Sequence, residues 1–231
     1  MNIQSNLLFK VALLALLVGA DRPCTACDEG NPPPEGYTGV WVVTGNDGRN
    51  ISEVSYKDGK RHGLARGWHP NGQLLFVAHY RKGHPEGISA TWDEEGLLTR
   101  LTVHEPDGTY RRVDYSKGHH SQEEISKDGK LLSRRMWHST GLKANEYSCK
   151  NGKPHGNYTE WHPNGKCRKR GSYEEGVRVG KWIGWNAEGK LERAWHYENG
   201  KLMKIDIYEN EKVVAVEYWK NGKAVRTESV E

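Results

Sequence analysis

Ordinary core residues are scarce in this chain of 231 residues. Hydrophobic side chains make up 35%, and phenylalanine occurs only twice. That is low for a globule closed around a single core. Helical periodicity is also missing: beyond the first twenty residues no segment of useful length repeats apolar residues every three or four positions. No P-loop, HExxH or ordered Ser-His-Asp set is present, which removes the commonest signatures of hydrolysis and nucleotide chemistry. Carboxylate pairs such as Glu94-Glu95 and Glu174-Glu175 sit in turn slots, where charge is the usual filler. Cysteine is sparse, with four in all. Cys24-Thr25-Ala26-Cys27 has no second pair, so it is weak as a zinc site. Formal net charge is only +4, too small a bias to imply a nucleic-acid partner.

Tryptophan and tyrosine take the place of the missing core residues, at nine and eleven copies. Each buries a large apolar body while keeping a polar tip near water. That suits a thin sheet with partly wet faces. Glycine is abundant, and it falls at the ends of short turn motifs. Asn46-Asp47-Gly48, Lys57-Asp58-Gly59, Pro70-Asn71-Gly72 and Arg81-Lys82-Gly83 open a series of fifteen that runs to Lys220-Asn221-Gly222. Asn-Gly and Asp-Gly fill tight hairpin turns because both residue types tolerate positive φ. Glycines separated mostly by 11 or 13 residues leave room for one short strand per interval. About fifteen such strands are expected, in an open antiparallel sheet that must twist and curl. The last segment, Lys223–Glu231, is charged, as an edge strand should be.

The first twenty residues read differently. Met1–Lys10 is polar and ends in a base, Val11–Ala20 is apolar, and Val18-Gly19-Ala20 presents small residues before Asp21. This is the order of a secretory signal peptide over 1–20. The apolar run is too short to remain as a membrane span. The alternative is a buried N-terminal strand or helix. Residues 21–36, with Pro32-Pro33-Pro34, read as an extended tether, and 37–231 as the repeat domain. Export to the periplasm, envelope or medium follows, with lipidation at Cys27 as a variant of it. Without Lys10, 33 of the 34 Lys+Arg remain against 30 Asp+Glu, a net of +3.

Within the repeat domain the period is 24 residues. Tyr56, Tyr80, Tyr173 and Tyr197 head copies, and Cys149 takes that place in one. Glycines follow at offsets of three and seven, as at Gly59 and Gly63. A tryptophan follows at offset twelve, at Trp68, Trp92, Trp161 and Trp185, and a further glycine at sixteen. Trp137 with Gly141 marks another copy, and 104–124 is an irregular one. Period-two alternation places Leu74, Phe76, Ala78 and Tyr80 on one face, and Leu191, Arg193, Trp195 and Tyr197 likewise. Leu64, Arg66 and Trp68 should line up in the same way on the preceding strand.

The pattern Tyr-x-x-Gly-x-x-x-Gly-x-x-x-x-Trp-x-x-x-Gly, at Tyr56–Gly72 and Tyr80–Gly96, resembles the MORN repeat in its bacterial variant. Lys150–Gly165 matches as well. The resemblance covers roughly 37–222. It implies an all-β, elongated open antiparallel β-meander of tandem hairpins that acts as a scaffold or binding surface. Some bacterial members are classed as antitoxins, and others are linked to membranes or protein assembly. An export signal departs from a cytoplasmic antitoxin.

Expected function is therefore binding without catalysis, with no cofactor, no metal and no nucleic acid. A protein is the first choice of partner. A cell-wall glycan, a membrane surface and an antitoxin or immunity role are the alternatives. The aromatic positions that would carry binding, or hold the sheet together, are Tyr56, Trp68, Tyr80, Trp92, Trp137, Trp161, Tyr173, Trp185 and Tyr197. His69, His138 and His162 directly follow repeat tryptophans. Equivalent positions two strands apart lie about 10 Å from one another, too far to share a metal ion. Each histidine is expected to fill a repeated surface position. Lys166, Arg168, Lys169 and Arg170 alternate faces on a strand and read as a solvated rim. Pairing of Cys149 with Cys167 is left open.

Overall fold

The computed structural model describes residues 32–230. The signal-peptide segment, Cys24, Cys27 and most of the tether lie outside the described residues. Among the described residues there are eighteen β-strands and no α-helix. They fall into two compact units that part between His119 and His120. Unit 1 contains β1(Gly39–Thr44), β2(Asn50–Lys57), β3(Lys60–Trp68), β4(Leu74–Arg81), β5(His84–Pro85), β6(Gly87–Trp92), β7(Leu98–His104) and β8(Thr109–Ser116). The division falls just after the first residue of β9(His119–Lys127), and the second unit holds the rest of that strand and β10(Lys130–Trp137). It continues with β11(Lys143–Lys150), β12(Lys153–Trp161), β13(Cys167–Glu174), β14(Val177–Trp185), β15(Leu191–Glu198), β16(Lys201–Glu209), β17(Lys212–Lys220) and β18(Lys223–Ser229). Within each unit successive strands pair antiparallel, with the short β5 and β6 both pairing with β4, so the fold is an all-β meander of hairpins.

Eighteen strands exceed the fifteen or so expected: fifteen turns bound sixteen strands, and two local features add one each. Glu86 interrupts one strand and splits it into β5 and β6. A turn without glycine, Asn210-Glu211, lies between β16 and β17. Both of its residues have positive φ, 47° and 65°, which is the geometry of a two-residue I′ turn. Glutamate holds that conformation against a steric cost of about 1–2 kcal/mol. Glu211→Gly is therefore expected to raise stability by about 1 kcal/mol in chemical denaturation. An unchanged or lower midpoint would contradict the strain.

The turns are of two kinds, not one. At the tyrosine end the residue before glycine also has positive φ, as at Asp58 (52°), Asn151 (53°) and Asn199 (48°). These are I′ turns. At the tryptophan end only the glycine does. There a type I turn is closed by a glycine bulge: Gly72 N donates to His69 O and His69 N donates to Gln73 O, both at 2.8 Å. The side chain of Asn71 or Asn164 then accepts from the backbone two residues on, at 2.9 and 3.0 Å.

A bulge follows each repeat tryptophan and corrects the expected faces. Gly67 pairs with Phe76, but Trp68 pairs with Leu74, which leaves Leu75 without a partner. The extra residue moves Leu74 to the face of Trp68 and leaves Phe76, Ala78 and Tyr80 on the other. Leu191 is shifted in the same way beside Trp185, away from Trp195 and Tyr197. Each unit thus has a tyrosine face and a tryptophan face. On the tyrosine face of unit 1, Val54, Ala65, Phe76, Ala78 and Tyr80 form a buried cluster, with Tyr56 and Leu75 packed on it. Strand β18 is exposed along its whole length, in keeping with a charged edge.

Candidate functional site

The tyrosine row is largely consumed by packing. Tyr80 is buried under the guanidinium of Arg61, which lies 5.4 Å from its ring centre. Tyr56 meets Tyr37 edge-on at 6.4 Å, and Tyr37 meets Trp41 at 5.5 Å. In unit 2 the row converges on a residue that repeat offsets did not single out, Trp182. It is 1% exposed. Tyr173, Tyr158 and Tyr197 surround it at centroid distances of 5.0, 5.4 and 6.3 Å. Arg178 lies 4.9 Å over the indole and donates to the Tyr197 hydroxyl at 3.1 Å. Trp182 Nε1 donates to Ser172 O at 3.1 Å. Burial, together with the neighbouring Glu160 carboxylate, pushes the Tyr158 phenol up to about 12. One sequence signal pointed to this hub: Gly171, set inside a strand where a side chain would be usual. A Cβ there would lie 2.1 Å from the Trp182 ring.

Trp68, Trp92, Trp137, Trp161 and Trp185 lie on the opposite face and are all half-buried. Cations attend several of them. Arg66 sits 5.6 Å from the Trp68 centroid and Lys143 5.5 Å from that of Trp161. His120 meets Trp137 edge-on at 5.3 Å. In unit 2 the structure therefore brings tyrosines together with Trp182, and in each unit it keeps the repeat tryptophans on the other face.

Histidines after the repeat tryptophans do more than fill surface. His69 Nε2 donates to Trp92 O at 2.9 Å. His138 Nε2 donates to Trp161 O, and His162 Nε2 to Trp185 O, both at 2.8 Å. Each bond joins one hairpin loop to the next, 23 residues on. Asn71 and Asn164 add amide bonds to Glu94 O and Ala187 O at 2.7 Å. The loops are thus stapled in series, which fixes the rim beside each tryptophan. A neutral hydrogen bond of this kind contributes about 0.5–1.5 kcal/mol. His162→Ala is expected to cost about that much in denaturant unfolding and to loosen amide protection at Asn186–Gly189. If protection there is unchanged, the staple has no structural weight.

A second polar cluster lies in unit 2. His196 Nε2 donates to Asp206 Oδ2 at 2.6 Å and Lys204 Nζ to Oδ1 at 2.9 Å. Asp206 is only 6% exposed. Burial alone would raise its carboxyl, but the bonds from Lys204 and His196 outweigh it and hold the group below its ordinary value. A depressed carboxylate stabilises the fold above its unfolded pKa of about 3.9 and loses that contribution as pH falls through the folded value. Asp206→Asn should flatten the acid limb of the stability–pH curve below about pH 4. A variant curve parallel to that of the parent would rule the linkage out.

Cys149 and Cys167 are free thiols, both pushed up by burial. Cys167 pairs across from Trp161 as Leu74 does from Trp68. Among the described residues no three metal-ligating side chains cluster, and no helix is long and apolar enough to cross a membrane.

No curated protein matches the chain. Among solved structures it is similar to a mutant of S. aureus TarM in complex with fondaparinux, alpha-GlcNAc-glycerol and UDP. There the identity is 11% and the TM-score 0.31, over 40% of this chain and 19% of that one. It is also similar to TarM itself, at 13% identity and a TM-score of 0.30, over 38% and 18%. A third is accessory secretory protein 1,2 and 3 of Streptococcus pneumoniae, at 14% identity and 0.28, over 45% and 19%. The chain spans about a fifth of the length of these proteins. The family described as "MORN repeat variant" matches residues 61–82, 154–175 and 192–210. Three short stretches of the chain, one in unit 1 and two in unit 2, are thus similar to MORN repeats of the variant type, each within the array of hairpins.

Proposed function

We propose that the chain is an exported, non-enzymatic scaffold that binds a protein partner along its tryptophan faces. The observation that carries this reading is the row of half-buried tryptophans at equivalent positions, beside loops stapled by histidine. Tryptophan and arginine dominate binding energy at protein interfaces. A rigid rim lowers the ordering cost of association. The tyrosines, spent on internal packing, are left as structural residues. In a repeat array the partner contacts are spread over several hairpins. An antitoxin or immunity role would be one case of such binding. Export rests on Val11–Ala20 and Val18-Gly19-Ala20, and protein from the native host should begin near Asp21 or at a lipidated Cys27.

The test is capture from an envelope extract with the parent chain, Trp92→Ala, Trp161→Ala and the double variant. Each single change should weaken recovery of the same partner in part, and the double change should remove most of it while circular dichroism stays native. Recovery unaffected by the double variant would overturn the assignment to this face. Turnover of a small molecule by the purified chain would overturn the non-enzymatic role.

A further inference from the structure

The first tryptophan-end loop has glycine where the loops at His69, His138 and His162 carry the stapling imidazole, and its own tie to the next loop is the longer, exposed bond from Arg49 Nη1 to Pro70 O at 3.4 Å. Gly45 occupies the loop position of His69, His138 and His162. Its N donates to Arg49 O at 2.8 Å, and Gly48 N donates to Gly45 O at 3.0 Å, the same pair of bonds that closes the His69 loop. The acceptor 23 residues on would be Trp68 O, and glycine has nothing to send to it. Between loops 45–49 and 69–72 an open cleft of about 730 Å³ remains. That volume falls within the roughly 300–1,000 Å³ of small-molecule sites.

Its walls have two distinct parts. Ile51, Trp68, Pro70 and Leu75 supply apolar surface. Ile51 and Leu75 are the residues left over by the bulges of their hairpins, so both are displaced from the regular pairing. Ile51 is 42% exposed, high for its type. Asp47, Arg49 and Asn50 supply the polar rim. Trp68 is held in place: Arg66 lies against it and is itself tied to Glu53 Oε2 by Nε and Nη2, both at 2.7 Å.

The charges of this rim cancel, one carboxylate against one guanidinium. A phosphate or carboxylate ligand would meet Asp47, and a cation would meet Arg49. A wholly apolar ligand would strip water from both without replacing its hydrogen bonds, which is unfavourable. A sugar ring meets all of these conditions. Its C–H face packs on an indole, and its hydroxyls both donate and accept. We infer that the cleft between the first two tryptophan-end loops binds a neutral hexose or N-acetylhexosamine unit stacked on Trp68. The site shares Trp68 with the row assigned to protein binding and is told apart from it by Gly45 and Ile51, which line this cleft.

The first glycine offers a clean test. Its φ lies outside the left-handed region, and a Cβ placed on it would meet Ile51 Cδ1 at 3.6 Å and the exposed Asp47 Oδ1 at 3.0 Å. Gly45→His can therefore be accommodated, add an imidazole staple to Trp68 O beside the Arg49–Pro70 bond and fill the cleft. Calorimetric titration of the full chain would use di- to tetrasaccharides of glucose, galactose and N-acetylglucosamine, with glucuronic acid and glucose 6-phosphate as charged counterparts. At least one neutral sugar should bind. Gly45→His and Trp68→Ala should each weaken it by at least about tenfold, with Gly45→His equal to or above the parent in stability. Lys223→Ala, on the exposed strand β18, should bind as the parent does. Should Gly45→His not fold, Ile51→Glu at the cleft mouth carries the same comparison. The inference fails if no neutral sugar binds, if the cleft-filling variant binds like the parent, or if the charged sugars bind as tightly.

Discussion

Trp182→Ala is expected to destabilise unit 2 by about 3–5 kcal/mol, as large-to-small changes at fully buried aromatic sites do. Three tyrosine rings and Arg178 lose their common partner at once. Aromatic pairs contribute about 0.5–1.5 kcal/mol each beyond burial, so the change also removes several pair interactions. Its indole N–H bond to Ser172 O disappears as well. The half-buried repeat residue Trp161 should cost clearly less when treated in the same way. Denaturant unfolding followed by hydrogen exchange would show β12 to β15 opening first in the Trp182 variant. Equal losses from Trp182→Ala and Trp161→Ala would mean that the hub is not where unit 2 is held.

In unit 1 the largest effect is expected from adding an atom. A Cβ on Gly67 would lie 2.2 Å from Phe76 Cε1 and 2.9 Å from Cδ1. Gly67 has an ordinary φ, so its missing side chain serves the ring and not the backbone. The ring rests directly on the strand, inside a cluster with Ala65 and Ala78. It cannot back away without displacing these neighbours. Gly67→Ala should cost about 1–3 kcal/mol or more by overpacking. Gly67→Ala combined with Phe76→Leu should lose less than the two single changes together, since the second relieves the clash made by the first. Additive losses would place the damage elsewhere. Gly63 makes a useful contrast. Its φ is +96° and it sits in a bulge, so Gly63→Ala should suffer from backbone strain that no change at Phe76 can relieve.

Turn chemistry was readable from the residues alone. Positive φ is a local preference of glycine and asparagine, and it marks a turn whatever lies around it. The strand order, the 24-residue period and the antiparallel meander follow from those turns. Where a turn used an atypical residue, as at Asn210-Glu211, the same reading missed it. The tryptophan and tyrosine rows were likewise visible as rows. Which face each row occupies was not, because a single extra residue reverses every side chain beyond it, and bulges at Leu75, Arg168 and Glu192 are set by how neighbouring strands close. Trp182 outranks the repeat tryptophans only because Gly171 and three tyrosines converge on it across neighbouring strands. His69, His138 and His162 become staples only because successive loops stack. Gly45 lines the cleft beside Trp68 at a loop position that carries histidine elsewhere, a correspondence that shows only once the loops are placed side by side.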